Sequence, residues 1–349
     1  MRRVSRIAVA SVATAALAVT VSACGSSSSS SSAGGGDKNR GLALAYDVGG
    51  KGDQSFNDAA TAGMDQADKE FGYKSTAVEP QDGESDADKV QRLETLAKQG
   101  YNPVIGVGFA YAPAVKAAAA KFPKTTFGIV DDNTITASNV ADLVFHEEQA
   151  SYLAGVAAAK TTKSNTVGFV GGVDVPLIHK FEAGFKQGVA DTKKGVTVKS
   201  QYLTQTAAEG GFSSPDKGEN AANGQIDAGA DVVYAAAGLS GQGVIKAASE
   251  HKIWAIGVDS DQYKQDALAK YKDSILTSAM KDVSGAVFNL AKSVKDGKPQ
   301  TGEVRASLAT GGVSLSDSNP VFKNNADLQA AIKKAEEGIK SGSITVKDS

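Results

Sequence analysis

From Gly41 onward the chain alternates short apolar, β-prone runs with longer amphipathic segments, and this alternation limits the possible folds more than any other feature. The runs Leu42–Tyr46, Val104–Val107, Thr126–Val130, Thr166–Val170, Val196–Tyr202, Val232–Ala235, Trp254–Val258 and Ile275–Ser278 are expected strands. The stretches between them are expected helices. In Ser85–Gln99, for example, Ser85 and Asp88 make a capping-box-like start, Val90, Leu93 and Ala97 recur at helical spacing, and Gly100 ends the run. Strands and helices alternating at this spacing indicate parallel βαβ units, hence an α/β fold.

The units separate into two blocks near His146. Each block opens on a strand and a glycine-containing turn leading into a helix, as in Asp47–Gly52 and Gly171–Pro176. Either block is large enough for a doubly wound sheet of its own. Two such lobes leave a cleft between them at the carboxyl ends of the strands, which is where open parallel sheets bind ligands.

The first forty residues are of another kind. Arg2, Arg3 and Arg6 precede an apolar run from Ile7 to Val21, and Ser22 and Ala23 lead into Cys24, the one cysteine of the chain. Residues 1–23 thus have the layout of a secretory signal, with an apolar run shorter than the roughly 20 residues of a membrane span. Val-Ser-Ala-Cys resembles a bacterial lipobox, which makes Cys24 an acylated anchor after cleavage. Residues 24–40, with Ser26–Ser32 and Gly34–Gly36, have too little apolar surface to pack and are expected to be a tether.

Cysteine count and charge exclude several classes. A single cysteine rules out an intrachain disulfide and a Cys-rich metal site. With 37 basic and 39 acidic residues there is no basic excess to hold nucleic acid. Loss of Arg2, Arg3 and Arg6 with the signal leaves 34 basic against 39 acidic residues, a balance of −5, so acyl chains must do the anchoring.

The polar residues of interest stand at strand ends. The loop after the first strand reads Asp47-Val-Gly-Gly-Lys-Gly-Asp-Gln-Ser-Phe-Asn-Asp58 and places Phe56 and Asn57 at a helix mouth. There they can stack on and hydrogen-bond a flat ligand, or serve as a hydrophobic staple and an N-cap. Other strands end at Asp131, Asp259 and Lys281. A carboxylate so placed can accept two protons from a vicinal diol, and a nearby ammonium keeps it ionised. The glycines Gly210-Gly-Phe212 and Gly238-Leu-Ser-Gly241-Gln-Gly243 match no phosphate-binding fingerprint, and read as tight turns or close backbone approaches.

Taken together, Asp47–Asp58, Phe127–Asp131, FHEEQASYLAGVAAA (Phe145–Ala159), GFVGGVDVPLIHKFEAGFKQG (Gly168–Gly188), GFSSPDKG (Gly211–Gly218), Ala235–Gly243, Ile256–Asp261 and Thr277–Asp282 resemble the basic membrane protein (BMP) family. These are substrate-binding lipoproteins of ABC importers, of the purine nucleoside receptor kind. The resemblance implies a type I periplasmic-binding-protein fold with a three-crossing hinge. Lobe one would be 41–145, completed by part of 281–320; lobe two would be 146–280, with 321–349 packed on one of them. The implied ligand is a nucleoside, purines favoured. Phe56 would stack on one face of the base and Phe212 on the other, while Asn57 and Asp131 read its edge. Asp259 and Lys281 would hold the ribose hydroxyls, the Gly238 backbone would line the sugar side, and Asp47 would orient these groups or touch ligand. Ser213-Ser214 depart from the family pattern beside Phe212, which leaves Phe109 or Tyr111 as alternatives for the second face.

The reading is a non-enzymatic, monomeric receptor without cofactor or metal. It would be lipid-anchored through Cys24 on the outer face of the cell membrane and would deliver ligand to a permease and its ATPase. A sugar or flavin-like ligand is the alternative within that role. A nucleoside-cleaving enzyme is the alternative outside it, but His146, His179 and His251 are scattered, His146-Glu-Glu148 lacks the HExxH spacing, and Asp47–Asp58 fails the EF-hand pattern.

Overall fold

The computed structural model describes residues 39–349 except Asp82; the signal, Cys24 and nearly all of the tether lie outside the described residues. In chain order the strands are β1 (Arg40–Ala45), β2 (Lys74–Val78), β3 (Val104–Gly106), β4 (Phe127–Val130), β5 (Val140–Phe145), β6 (Thr166–Val173), β7 (Thr197–Thr204), β8 (Val232–Ala236), β9 (Trp254–Asp259), β10 (Ile275–Lys281), β11 (Gly302–Ala306) and β12 (Val313–Leu315). The helices are α1 (Phe56–Phe71), α2 (Asp86–Lys98), α3 (Ala112–Lys121), α4 (Glu147–Thr161), α5 (Pro176–Thr192), α6 (Pro215–Asp227), α7 (Gly241–Glu250), α8 (Val283–Lys295), α9 (Pro320–Lys323) and α10 (Ala326–Lys340).

Two six-stranded sheets result, ordered β11-β5-β4-β3-β1-β2 and β12-β10-β9-β8-β6-β7. Every pairing is parallel except β10 with β12. The chain passes between the sheets after β5, after β10 and after β11. Central strands are covered on both faces, which is why they read as unbroken apolar runs: Leu42, Ala43, Leu44 and Ala45 of β1 are wholly buried. The capping box of Ser85 and Asp88 forms at the start of α2. In the second lobe α4 is buried nearly all round, lying against α5, α10, β10 and β12.

Strand order reverses at equivalent places in the two sheets, between β1 and β3 and between β6 and β8. The loops leaving these strands diverge to opposite sides of their sheet and open a crevice at its carboxyl edge. Both crevices contribute to one pocket.

Candidate functional site

The pocket is lined from lobe one by Asp47, Asp53, Phe56, Asn57, Gly108, Phe109 and Asp131, and from lobe two by Leu177, Ile178, Phe181, Phe212, Gly238, Asp259 and Lys281. All eight cleft residues singled out in the sequence therefore face one space. Cys24 lies outside the described residues.

Lys281, at the end of β10, is the electrostatic centre. Its Nζ lies 2.6 Å from Asp131 Oδ2 and 3.5 Å from Asp259 Oδ1, with all three side chains almost completely buried. Burial alone would lower the lysine's pKa, but the charges of Asp131, Asp259 and Glu147 outweigh it and raise the pKa above its ordinary value. Lys281 therefore stays charged. Its ammonium also lies 4.7 Å from the ring centre of Phe56 and 5.6 Å from that of Phe181. Asp131 Oδ1 is buried without a hydrogen-bond partner in the protein. Asp131 and Asp259 both sit at positive φ, 67° and 62°, a region costly for side chains other than glycine, which turns their carboxylates off the strand ends.

The mouth of α1 departs from the local reading that made Asn57 its N-cap. Asn57 is not the N-cap, because the helix begins at Phe56 and Ser55 precedes it. The capping is done by Asp53, which the sequence reading passed over. Asp53 Oδ1 accepts the N–H groups of Ser55 and Asp58, and Oδ2 accepts those of Asn57 backbone and side chain, at 2.8–3.1 Å. Asn57 Oδ1 in turn accepts the Asp47 N–H at 3.0 Å. One amide thus ties the end of β1 to the start of α1, and only its remaining hydrogen and lone pair are left to a ligand. Burial pushes Asp47 up to about 7 and Asp53 up to about 6.

Glycine is required at two points around this shell. Gly108 has φ 107°, and a Cβ there would collide with the Asp47 carboxylate. A Cβ on Gly172 would collide with the ring of Phe212. Of the alternative stacking residues, Phe109 lines the pocket, whereas Tyr111 is a core residue: it is buried, and its hydroxyl donates to the Tyr46 carbonyl at 3.0 Å. Phe181 and Leu177, on one face of the first turns of α5, were not singled out; an i, i+4 apolar pair immediately after the Gly171–Pro176 turn was the available signal.

Two doubly wound lobes facing one another across an aromatic and carboxylate-lined pocket define a solute-binding protein of the type I periplasmic fold. A crystal structure of an ABC transporter solute-binding protein from Aeropyrum pernix K1 superposes with a TM-score of 0.78 at 26% identity, covering 89% of this chain and 94% of that one. The chain belongs to the Bmp family, described as ABC transporter substrate-binding protein PnrA-like, whose model matches residues 42–349. It is 36% identical over 321 residues, 87% of this chain and 88% of the relative, to the "ABC transporter nucleoside-binding protein BmpA" of Lactococcus lactis. It is 33% identical over 287 residues, 79% of this chain and 68% of the relative, to an uncharacterised lipoprotein of Pyrococcus horikoshii. No helix among the described residues is long and apolar enough to cross a membrane.

Proposed function

We propose that the protein captures a nucleoside, with purines favoured, between its lobes and presents it to a membrane permease and its ATPase. The observation that carries this reading is the Asp131–Lys281–Asp259 cluster at strand ends of both lobes, with phenyl rings beside it. Asp259 and Lys281 suit the vicinal hydroxyls of a ribose. The unpartnered Asp131 Oδ1 suits an N–H on the edge of a base, and Phe56 with Phe212 or Phe109 suits its faces.

Charge narrows the ligand further. Four carboxyl groups, Asp47 only partly ionised near neutral pH, line the pocket against the single ammonium of Lys281, so a phosphate would still meet an excess of like charge. A neutral nucleoside fits this lining and a nucleotide does not. Of the relatives, one is named as nucleoside-binding and another as a lipoprotein. The second name supports cleavage of residues 1–23, acylation of Cys24 and attachment to the outer face of the cell membrane by the tether.

The receptor acts as a monomer and returns its ligand unaltered. Native mass spectrometry of protein purified without added ligand tests the reading, together with incubation with inosine. A retained mass in the nucleoside range and no release of hypoxanthine are expected. A retained sugar, or free base accumulating in proportion to protein, would overturn it.

A further inference from the structure

Ser55 is wholly buried at the mouth of α1 in lobe one, yet its side chain is directed at lobe two. Its Oγ donates to Asp259 Oδ2 at 2.7 Å, with the Val258 carbonyl at 3.2 Å. Lobe two returns further bonds to the same short segment. Ser260 Oγ donates to the Ser55 carbonyl at 2.7 Å, Gln262 Nε2 to the Gln54 carbonyl at 3.1 Å, and Gln242 Nε2 to the Gly52 carbonyl at 3.2 Å. Both sides of this seam hold residues at positive φ, Gln54 at 56° and Asp259 at 62°. Such conformations persist where surrounding contacts over-determine them.

Of the side chains in this seam, Ser55 is the one that bonds a carboxylate lining the cleft. Asp259 Oδ1 faces Lys281, which is in its own lobe, and Oδ2 faces Ser55, which is not. The plane of that carboxylate is therefore set by both lobes at once. Ser55 is itself held in place, since Asp53 accepts its N–H at 2.9 Å.

We propose that Ser55 is a positioning residue for sugar recognition: when the lobes meet, its hydroxyl fixes the Asp259 carboxylate in the orientation that accepts the ribose hydroxyls. Affinity for the sugar is then completed by closure: any ligand gains from the closure that the Ser55–Asp259 bond favours, and one carrying the diol gains the oriented carboxylate as well. The other cross-lobe bonds favour closure whatever the sugar carries. This inference rests on assigning Asp259 to the ribose.

Calorimetric titration of wild type, Ser55→Ala and Ser260→Ala with inosine and with 2′,3′-dideoxyinosine separates the possibilities. Wild type is expected to prefer inosine. Ser55→Ala weakens inosine by about tenfold or more, the size of a lost hydrogen bond to a carboxylate, and weakens dideoxyinosine several-fold less. Ser260→Ala weakens both alike, and Ser55→Thr, which keeps the hydroxyl, retains the wild-type preference. Equal weakening of both ligands by Ser55→Ala would make Ser55 a structural contact only and overturn the proposal. Wild-type protein that binds both ligands equally, or neither, would instead remove the ribose assignment on which the proposal stands.

Discussion

Four carboxyl groups near the cleft, Asp47, Asp53, Asp131 and Glu147, are held above the ordinary carboxylate range, Asp131 because burial outweighs the opposing charge of Lys281. Burial raises Asp47 to about 7 and Asp53 to about 6, and burial followed by the charge of Asp131 raises Glu147 to about 7. Between their unfolded values near 4 and these folded values, the folded state binds more protons than the unfolded one. The stability they contribute is fully present below pH 4 and is lost as pH rises to about 7. Protein without added ligand should therefore melt at a higher temperature at pH 5 than at pH 8, and Asp47→Asn should flatten that slope in a thermal-denaturation series. Lys281 gives a second test. Lys281→Met keeps an apolar stem against Phe56 and Phe181 but leaves Asp131 and Asp259 without their cation. Breaking a buried pair costs about 3–5 kcal/mol, so both the melting temperature and nucleoside affinity should fall. Adding Asp131→Asn should recover part of the stability, since one of the two uncompensated carboxylates is removed while Asp259 remains, and should leave binding lost, because the ribose hydroxyls still lack the Lys281 ammonium.

The elements that present these residues differ in how visible they were from composition and spacing. Central parallel strands such as β1, β4 and β9 announce themselves because both faces are buried. The edge strands β2 and β11 do not, since Lys74–Val78 and Gly302–Ala306 carry polar, partly exposed side chains. Strand β5 was missed because Asp142 interrupts its apolar run, and β12 because three residues make no pattern. At the site, strand-end residues Asp131, Asp259 and Lys281 stood out by position. Asp53 and Ser55 did not: the first is read as loop polarity until its four hydrogen bonds are seen, and the second pairs with a residue 204 positions away. Turn glycines carry their own prediction. Gly108→Ala forces φ 107° on a residue with a Cβ aimed at Asp47. With strain of about 1–3 kcal/mol, ligand affinity should drop by roughly tenfold or more while far-UV circular dichroism stays native.

For the whole molecule, the proposed capture of ligand between the lobes makes binding and closure one event. The three passages of chain between the sheets permit the lobes to move as bodies, and ligand contacts made from both sides favour the closed form by the difference they make between the two states. The cross-lobe bonds from Gln242, Ser260 and Gln262 to residues 52–55 add to the same end. The family assigns the chain to ABC import; what distinguishes its cargo is the lining, one ammonium among four carboxyl groups and a set of phenyl rings. Calorimetric titration of the protein with inosine, inosine 5′-monophosphate and ribose tests that lining most directly. One inosine bound per chain is expected, with ribose and the monophosphate weaker by about a hundredfold or more, as lost stacking and like-charge contact each require. Equal binding of the monophosphate, or binding of ribose without inosine, would contradict it.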